Sequence, residues 1–462
     1  IFGLLALNAN TGNYNVGIGT ETLGYQTSGE RNVGVGYQAG RNNVTGDYNT
    51  FMGFSAGRGT TSGVYSNTVG IGNNAFYTIN NSFSGVAVGS NAGYSQTDAD
   101  RSTFIGSSAG YYTTTGADNT AVGANALTKN QTGYGIVAIG KDALYHQNVH
   151  STVGIGSGAG YFSSGSTNVY VGTYAGYYQG SGTANTYVGD SAGRGFGLSV
   201  ATANTGNTGI GGSALYSITT GGHNTAVGSS AGSSLTTGTY NVLVGKEAGQ
   251  NVYKTSYSTH IGANAGRYAS GSSNTFLGYR AGLGGTSSAP YSSGGQNVAI
   301  GYQAFDAFTD GIRNVAIGYE ALSTATGADY NQAIGYRAMF NVNTGGSNVA
   351  IGHEAALNLT SGGSNIAIGY HAGYNNQTGV YNVHIGYQAG YGAASNSANT
   401  NTFVGYKTGY DVTSGYNNVA IGGQALENIT TGYDNVAIGN AAGDALTTTN
   451  FVTLVGRNAG GS

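Results

Sequence analysis

Asn297-Val298-Ala299-Ile300-Gly301-Tyr302-Gln303-Ala304 is answered by Asn314-Val315-Ala316-Ile317-Gly318-Tyr319-Glu320-Ala321. The glycine that closes each Asn-Val-Ala-Ile-Gly phrase falls at 19, 36, 53, 72, 89, 106, 123, 140, 156, 172 and 189. It continues at 211, 228, 245, 262, 278, 301, 318, 335, 352, 369, 386, 405, 422, 439 and 456. Of the 25 intervals, 18 are 17 residues long, and the rest are 16, 19, 22 or 23. A fixed short period implies one unit stacked on copies of itself, a solenoid.

Positions are counted from this anchor glycine. Position −1 is Ile, Val, Leu or Met in all 26 repeats, and −3 is Val, Ile or Thr in all but one, where Gln332 stands. That period of two marks a half-buried strand, and −3 and −1 are read as its inward face. Position +3 is Ala in 24 repeats, and +4 is usually Gly, otherwise mostly Leu, Phe or Met. Position −4 is Asn in 19 repeats, which predicts an amide ladder between stacked copies. A helix is excluded, since the recurrent glycines would cost roughly 1 kcal/mol each there. The reading is all-β: a parallel β-solenoid or β-roll of about 26 coils over 1–462, each coil being one repeat. Longer intervals place protruding loops near 194–207 and 283–296, the second holding Pro290, the only proline.

Composition narrows the function. Gly numbers 86, charged residues are 7% of the chain and the formal net charge is −3, so no basic surface for nucleic acid is present. With no Cys there is no disulfide framework, and no apolar run is long enough to span a membrane. Both ends fall inside a coil, which predicts an internal piece of a longer protein.

On this reading position −2 points outward. It is Ala or Gly in 16 repeats, a large residue or His in the other ten, and never charged. An uncharged outward face suggests coverage by identical chains, with Phe51, Phe104, Tyr170, Tyr187, Phe276 and Phe403 as the candidate inter-chain face, the alternative being a low-charge solvent face in a chain that is uncharged almost everywhere.

Asn418-Val419-Ala420-Ile421-Gly422-Gly423-Gln424-Ala425-Leu426, followed by Thr430-Thr431-Gly432, resembles the head repeats of trimeric autotransporter adhesins and the repeats of bacteriophage tail fibres. The resemblance covers essentially the whole chain, although the adhesin head repeat is typically shorter than the 17 residues found here. It implies a left-handed, homotrimeric β-roll in an extracellular fibre, on a virion or a bacterial cell surface, that attaches to a host surface. The other reading left open is a structural extracellular filament whose subunits polymerise, without a dedicated receptor.

Gly-x-Ser-x-Gly occurs at 53–57, 106–110, 189–193 and 228–232, but always as repeat positions 0 to +4, so it is read as packing and not as a nucleophile elbow. The seven His occupy different repeat positions, and no metal, cofactor or catalytic residue is expected. Tyrosine is the feature with binding potential, at 37 copies. Position +1 gives the column Tyr302, Tyr319, Tyr336, His353, Tyr370, Tyr387 and Tyr406, while +5 gives Tyr374, Tyr391 and Tyr410. Such columns can stack as structure, or offer rings and hydroxyls to a host-surface polysaccharide, with Arg337 and Lys407 beside them.

Overall fold

The computed structural model describes residues 2–60, 63–98, 100–196, 203–285, 291–393 and 396–461. It contains 26 strands of three residues each, at positions −3 to −1, and no helix among the described residues. Two compact units divide the chain. The first, Ile1–Ser230, holds β1 (Val16–Ile18) to β13 (Thr225–Val227), and the second, Ala231–Ser462, holds β14 (Val242–Val244) to β26 (Thr453–Val455). Inside each unit every strand pairs in parallel with the next along the chain, residue opposite equivalent residue. Ala316 of β18 (Val315–Ile317), for example, lies between Ala299 and Ala333. The all-β parallel solenoid read from the repeat is thus observed.

The anchor glycine ends the strand because nothing else fits. Gly318 has φ 137°, and a Cβ there would sit 2.3 Å from the carbonyl oxygen of Gly335 in the next coil. Both the backbone conformation and the close approach of stacked coils demand glycine.

The facing of the strand is the reverse of the expectation. The middle residue, −2, is buried in every strand but β26, while −3 and −1 are half-buried or exposed. Phe51, Phe104, Tyr170, Tyr187, Phe276 and Phe403 are all fully buried, so none belongs to an inter-chain face. The cause lies in the asparagine at −4, which shares its face with −2 because strand side chains alternate. Asn314 is buried, its Oδ1 accepts the backbone N–H of Asn331 (2.9 Å), and its Nδ2 donates to the carbonyl of Ala328 (2.7 Å). The same amide passes from coil to coil through Asn331, Asn348, Asn365 and Asn382. An amide that satisfies buried backbone groups has to point inward, and it carries −2 with it.

The interior is narrow, and at −2 and +4 together no coil holds more than one large side chain. All ten repeats with a large −2 residue have Gly at +4, and all nine with Leu, Phe or Met at +4 have Gly or Ala at −2. A Cβ on Gly110 would lie 2.4 Å from the Phe104 ring, and one on Gly57 only 2.1 Å from that of Phe51. Where both positions are small, neighbouring plugs expand into the space: a Cβ on Gly93 would meet Phe76 at 2.6 Å and Phe104 at 2.9 Å. A further inward column at +7, including Ile79, Ile218, Val342 and Ile429, is fully buried and was not anticipated. Of the expected loops, 197–202 and 286–290, with Pro290, lie outside the described residues. Their flanks return to the stack through the bridges Thr183–Thr205 and Ala269–Ser292.

Two plugs are histidines. His260 stacks on Phe276 at 5.0 Å and His384 on Phe403 at 5.5 Å. Burial lowers their pKa to about 3 and about 4 respectively. The unfolded chain takes up these protons near pH 6.5, whereas the folded chain holds both rings neutral until pH 3–4. Their contribution is therefore complete above pH 6.5 and declines as pH falls toward those folded values, by on the order of 2–3 kcal/mol each by about pH 4.5. Replacing both with Phe is expected to flatten the acid limb of a plot of denaturation midpoint against pH. An unchanged limb would show that these rings are not buried neutral.

Candidate functional site

The longest stacked ring column among the described residues belongs to the second unit. Past the anchor glycine the chain turns outward, so +1 faces solvent and +2 follows in the left-handed region, as at Arg337 (φ 49°) and Glu354 (φ 53°). With coils in register, equal positions stack. Tyr279, Tyr302, Tyr319, Tyr336, His353, Tyr370, Tyr387 and Tyr406 form one column. Neighbouring ring centroids are 4.8–5.4 Å apart, and the expected tyrosines are 40–51% exposed. Tyr279 extends the column read from the sequence. Offset stacking at this spacing contributes about 0.5–1.5 kcal/mol per pair.

At +5, Tyr374, Tyr391 and Tyr410 stack at 5.0 and 4.9 Å and are half-buried. Burial raises the pKa of Tyr374 and Tyr391, so both keep a hydroxyl that can donate. The first unit carries equivalent +5 columns, Tyr77–Tyr94–Tyr111 and Tyr145–Tyr161–Tyr177.

Charged residues at +2 accompany the two columns. Arg337 Nε lies 3.5 Å from Glu320 Oε2 and its Nη1 3.7 Å from Glu354 Oε1, while the guanidinium covers the Phe340 ring at 4.2 Å. Arg337 thus stands between two carboxylates, while its Nε makes no hydrogen bond. Lys407 Nζ sits 5.8 Å from the Tyr406 ring centroid and 5.1 Å from that of Tyr410, linking the +1 and +5 columns. Arg280 meets Asp306 at 3.1 Å, and burial outweighs that cation to raise Asp306 to about 6. His371 Nε2 lies 2.9 Å from Glu354 Oε2, and burial lowers its pKa against the pull of that carboxylate.

A polar groove of about 530 Å³ lies at +6 to +8, lined by Thr324, Asn341, Asn343, Asn358, Thr360 and Gln377. Its floor includes an amide run in which Asn341 donates to Asn358 and Asn358 to Asn375, each at 2.8 Å. Sequence reasoning missed this groove because no single residue type marks it. The Gly-x-Ser-x-Gly phrases behave as packing, since Gly57 and Gly110 are the seats of the Phe51 and Phe104 rings. No protein-family model matches the chain, and no curated protein matches it.

Proposed function

We propose that the chain is a structural and adhesive segment of an extracellular fibre, in which identical chains pack side by side through the outward residues of their strands. One observation carries this reading. The outward −3 and −1 columns are aliphatic, Met or Thr throughout, with Gln332 the single exception and no charge at any of them. Ile18, Ile105, Ile210, Ile351 and Ile421 remain 38–42% exposed. Parallel sheets are almost always covered on both faces, and an extended apolar patch marks an interaction surface. A second copy of this chain suits the patch best, because it repeats with the same coil spacing and its ridges keep step with these. The homotrimer, the left-handed coil and the setting in a phage tail fibre or a trimeric bacterial adhesin rest on the repeat wording.

In this reading the tyrosine columns present rings and hydroxyls to host-surface polysaccharide, since Tyr combines an apolar body with a polar tip. The test is binding of the chain to a panel of immobilised cell-surface polysaccharides. Replacing Tyr370, Tyr387 and Tyr406 together with Ala is expected to abolish that binding in a chain that stays folded, with stability falling by the lost stacking of about 0.5–1.5 kcal/mol per pair. Undiminished binding, or unfolding with no binding effect of its own, would remove the adhesive role and leave a structural filament.

A further inference from the structure

The geometry points to a site for a divalent first-row transition ion, of the Zn²⁺ type, built by His353, Glu354 and His371. His353 and Glu354 follow β20 (Val349–Ile351), and His371 follows β21 (Ile366–Ile368), so the donors come from two adjacent coils. Glu354 and His371 are both at +2, 17 residues apart, and the stacking places one above the other.

Three donor atoms, one from each residue, lie within 4.8 Å of one another. His371 Nε2 and Glu354 Oε2 are 2.9 Å apart. Bonds of about 2.0–2.1 Å put adjacent donors on one metal roughly 2.9–3.4 Å apart, so this pair already stands at bite distance. His353 Nδ1 is 4.0 Å from the same oxygen, and a small ring rotation brings it into range. Both ring nitrogens of His371 are buried; Nδ1 makes no hydrogen bond, and Nε2 faces the Glu354 carboxylate at 2.9 Å. An imidazole nitrogen and a carboxylate oxygen this close are a ready pair of donors, since metal binding displaces the proton between them.

The surroundings brace these ligands. Arg337 Nη1 stands 3.7 Å from Glu354 Oε1, which leaves Oε2 as the free donor. His353 is held between Tyr336 at 4.8 Å and Tyr370 at 5.1 Å, and His371 lies 3.8 Å from Tyr370 and 4.7 Å from Tyr374. Stacking fixes the plane of the His353 ring and leaves it free to turn within that plane, which is the support a metal ligand needs. Two imidazoles with one carboxylate select Zn²⁺, Ni²⁺ or Cu²⁺ over Ca²⁺ or Mg²⁺, which prefer oxygen alone. Three protein donors leave a position open to water or to an oxygen or nitrogen donor from outside. A bound ion would also clip two coils together in the middle of the exposed aromatic column.

The experiment is calorimetric titration of Zn²⁺ into the untagged, chelator-stripped chain. The expected result is one ion per chain, with Glu354→Gln and His371→Ala each weakening uptake by at least about tenfold and His150→Ala leaving it unchanged. If His371→Ala fails to fold, His353→Asn and Glu354→Gln, which keep side-chain shape, decide the matter by the same loss. No saturable uptake, uptake indifferent to these substitutions, or equal uptake of Ca²⁺ would overturn the site.

Discussion

Gly110→Leu is expected to unfold its coil, and Phe104→Ala made alongside it is expected to restore the fold. Backbone strain does not explain the glycine, although φ there is 60°. The same +4 slot holds Leu127 at φ 56°, Leu144 at 49° and Phe305 at 52° in other coils. What forbids a side chain at Gly110 is the Phe104 ring, 2.4 Å from where its Cβ would stand. Overpacking of this severity exceeds roughly 3 kcal/mol, and Phe104→Ala alone leaves a cavity worth about 3–5 kcal/mol. Together the two changes reproduce the arrangement of Ala121 with Leu127, which the protein already uses. Denaturant midpoints of both single variants and the double are expected to give a coupling energy of several kcal/mol with stabilising sign. Additive losses would mean that −2 and +4 do not share one space.

Much of this fold is legible in the sequence. The period, the strand at −3 to −1, the anchor glycine and the asparagine ladder all follow from residue types at fixed positions. The facing is not legible from hydrophobicity alone, which ranks Val and Ile above Ala for the interior. Parity with Asn at −4 was the better guide, since a ladder of amides that satisfies stacked backbone groups has to be inside. The avoidance of large residues at −2 and +4 together is also present in the sequence, and is visible once each repeat is read as a single filled volume. The tyrosine columns were found because one residue type recurs. The cluster of His353, Glu354 and His371 was not, because its members differ in kind and meet only when the chain is read down a column. Chain spacing hides such neighbours, and the solenoid register reveals them.

Two adjacent residues of β18 separate the inside of the coil from its outside. Ala316 is fully buried, whereas Ile317 is half-buried and faces outward. Ala316→Asp places a charge in a dry interior packed between Ala299 and Ala333, with no cation to receive it. That is expected to cost more than about 4 kcal/mol and to melt the neighbouring coils. Ile317→Asp, made together with Ile351→Asp, is expected to change the stability of a single chain by only about 1 kcal/mol. Its effect should appear in assembly, because two carboxylates per chain would be drawn into an apolar contact between copies. Light scattering is expected to show a multiple of the chain mass for the unaltered protein and one chain mass for the doubly charged variant. Circular dichroism of that variant should stay that of the folded coil. If Ala316→Asp were tolerated and Ile317→Asp unfolded the chain, the facing argued from the asparagine ladder would be wrong. If the unaltered protein already has the mass of one chain, the facing survives and the lateral contact does not. The two substitutions thus test the coil and its assembly separately, although they sit one residue apart.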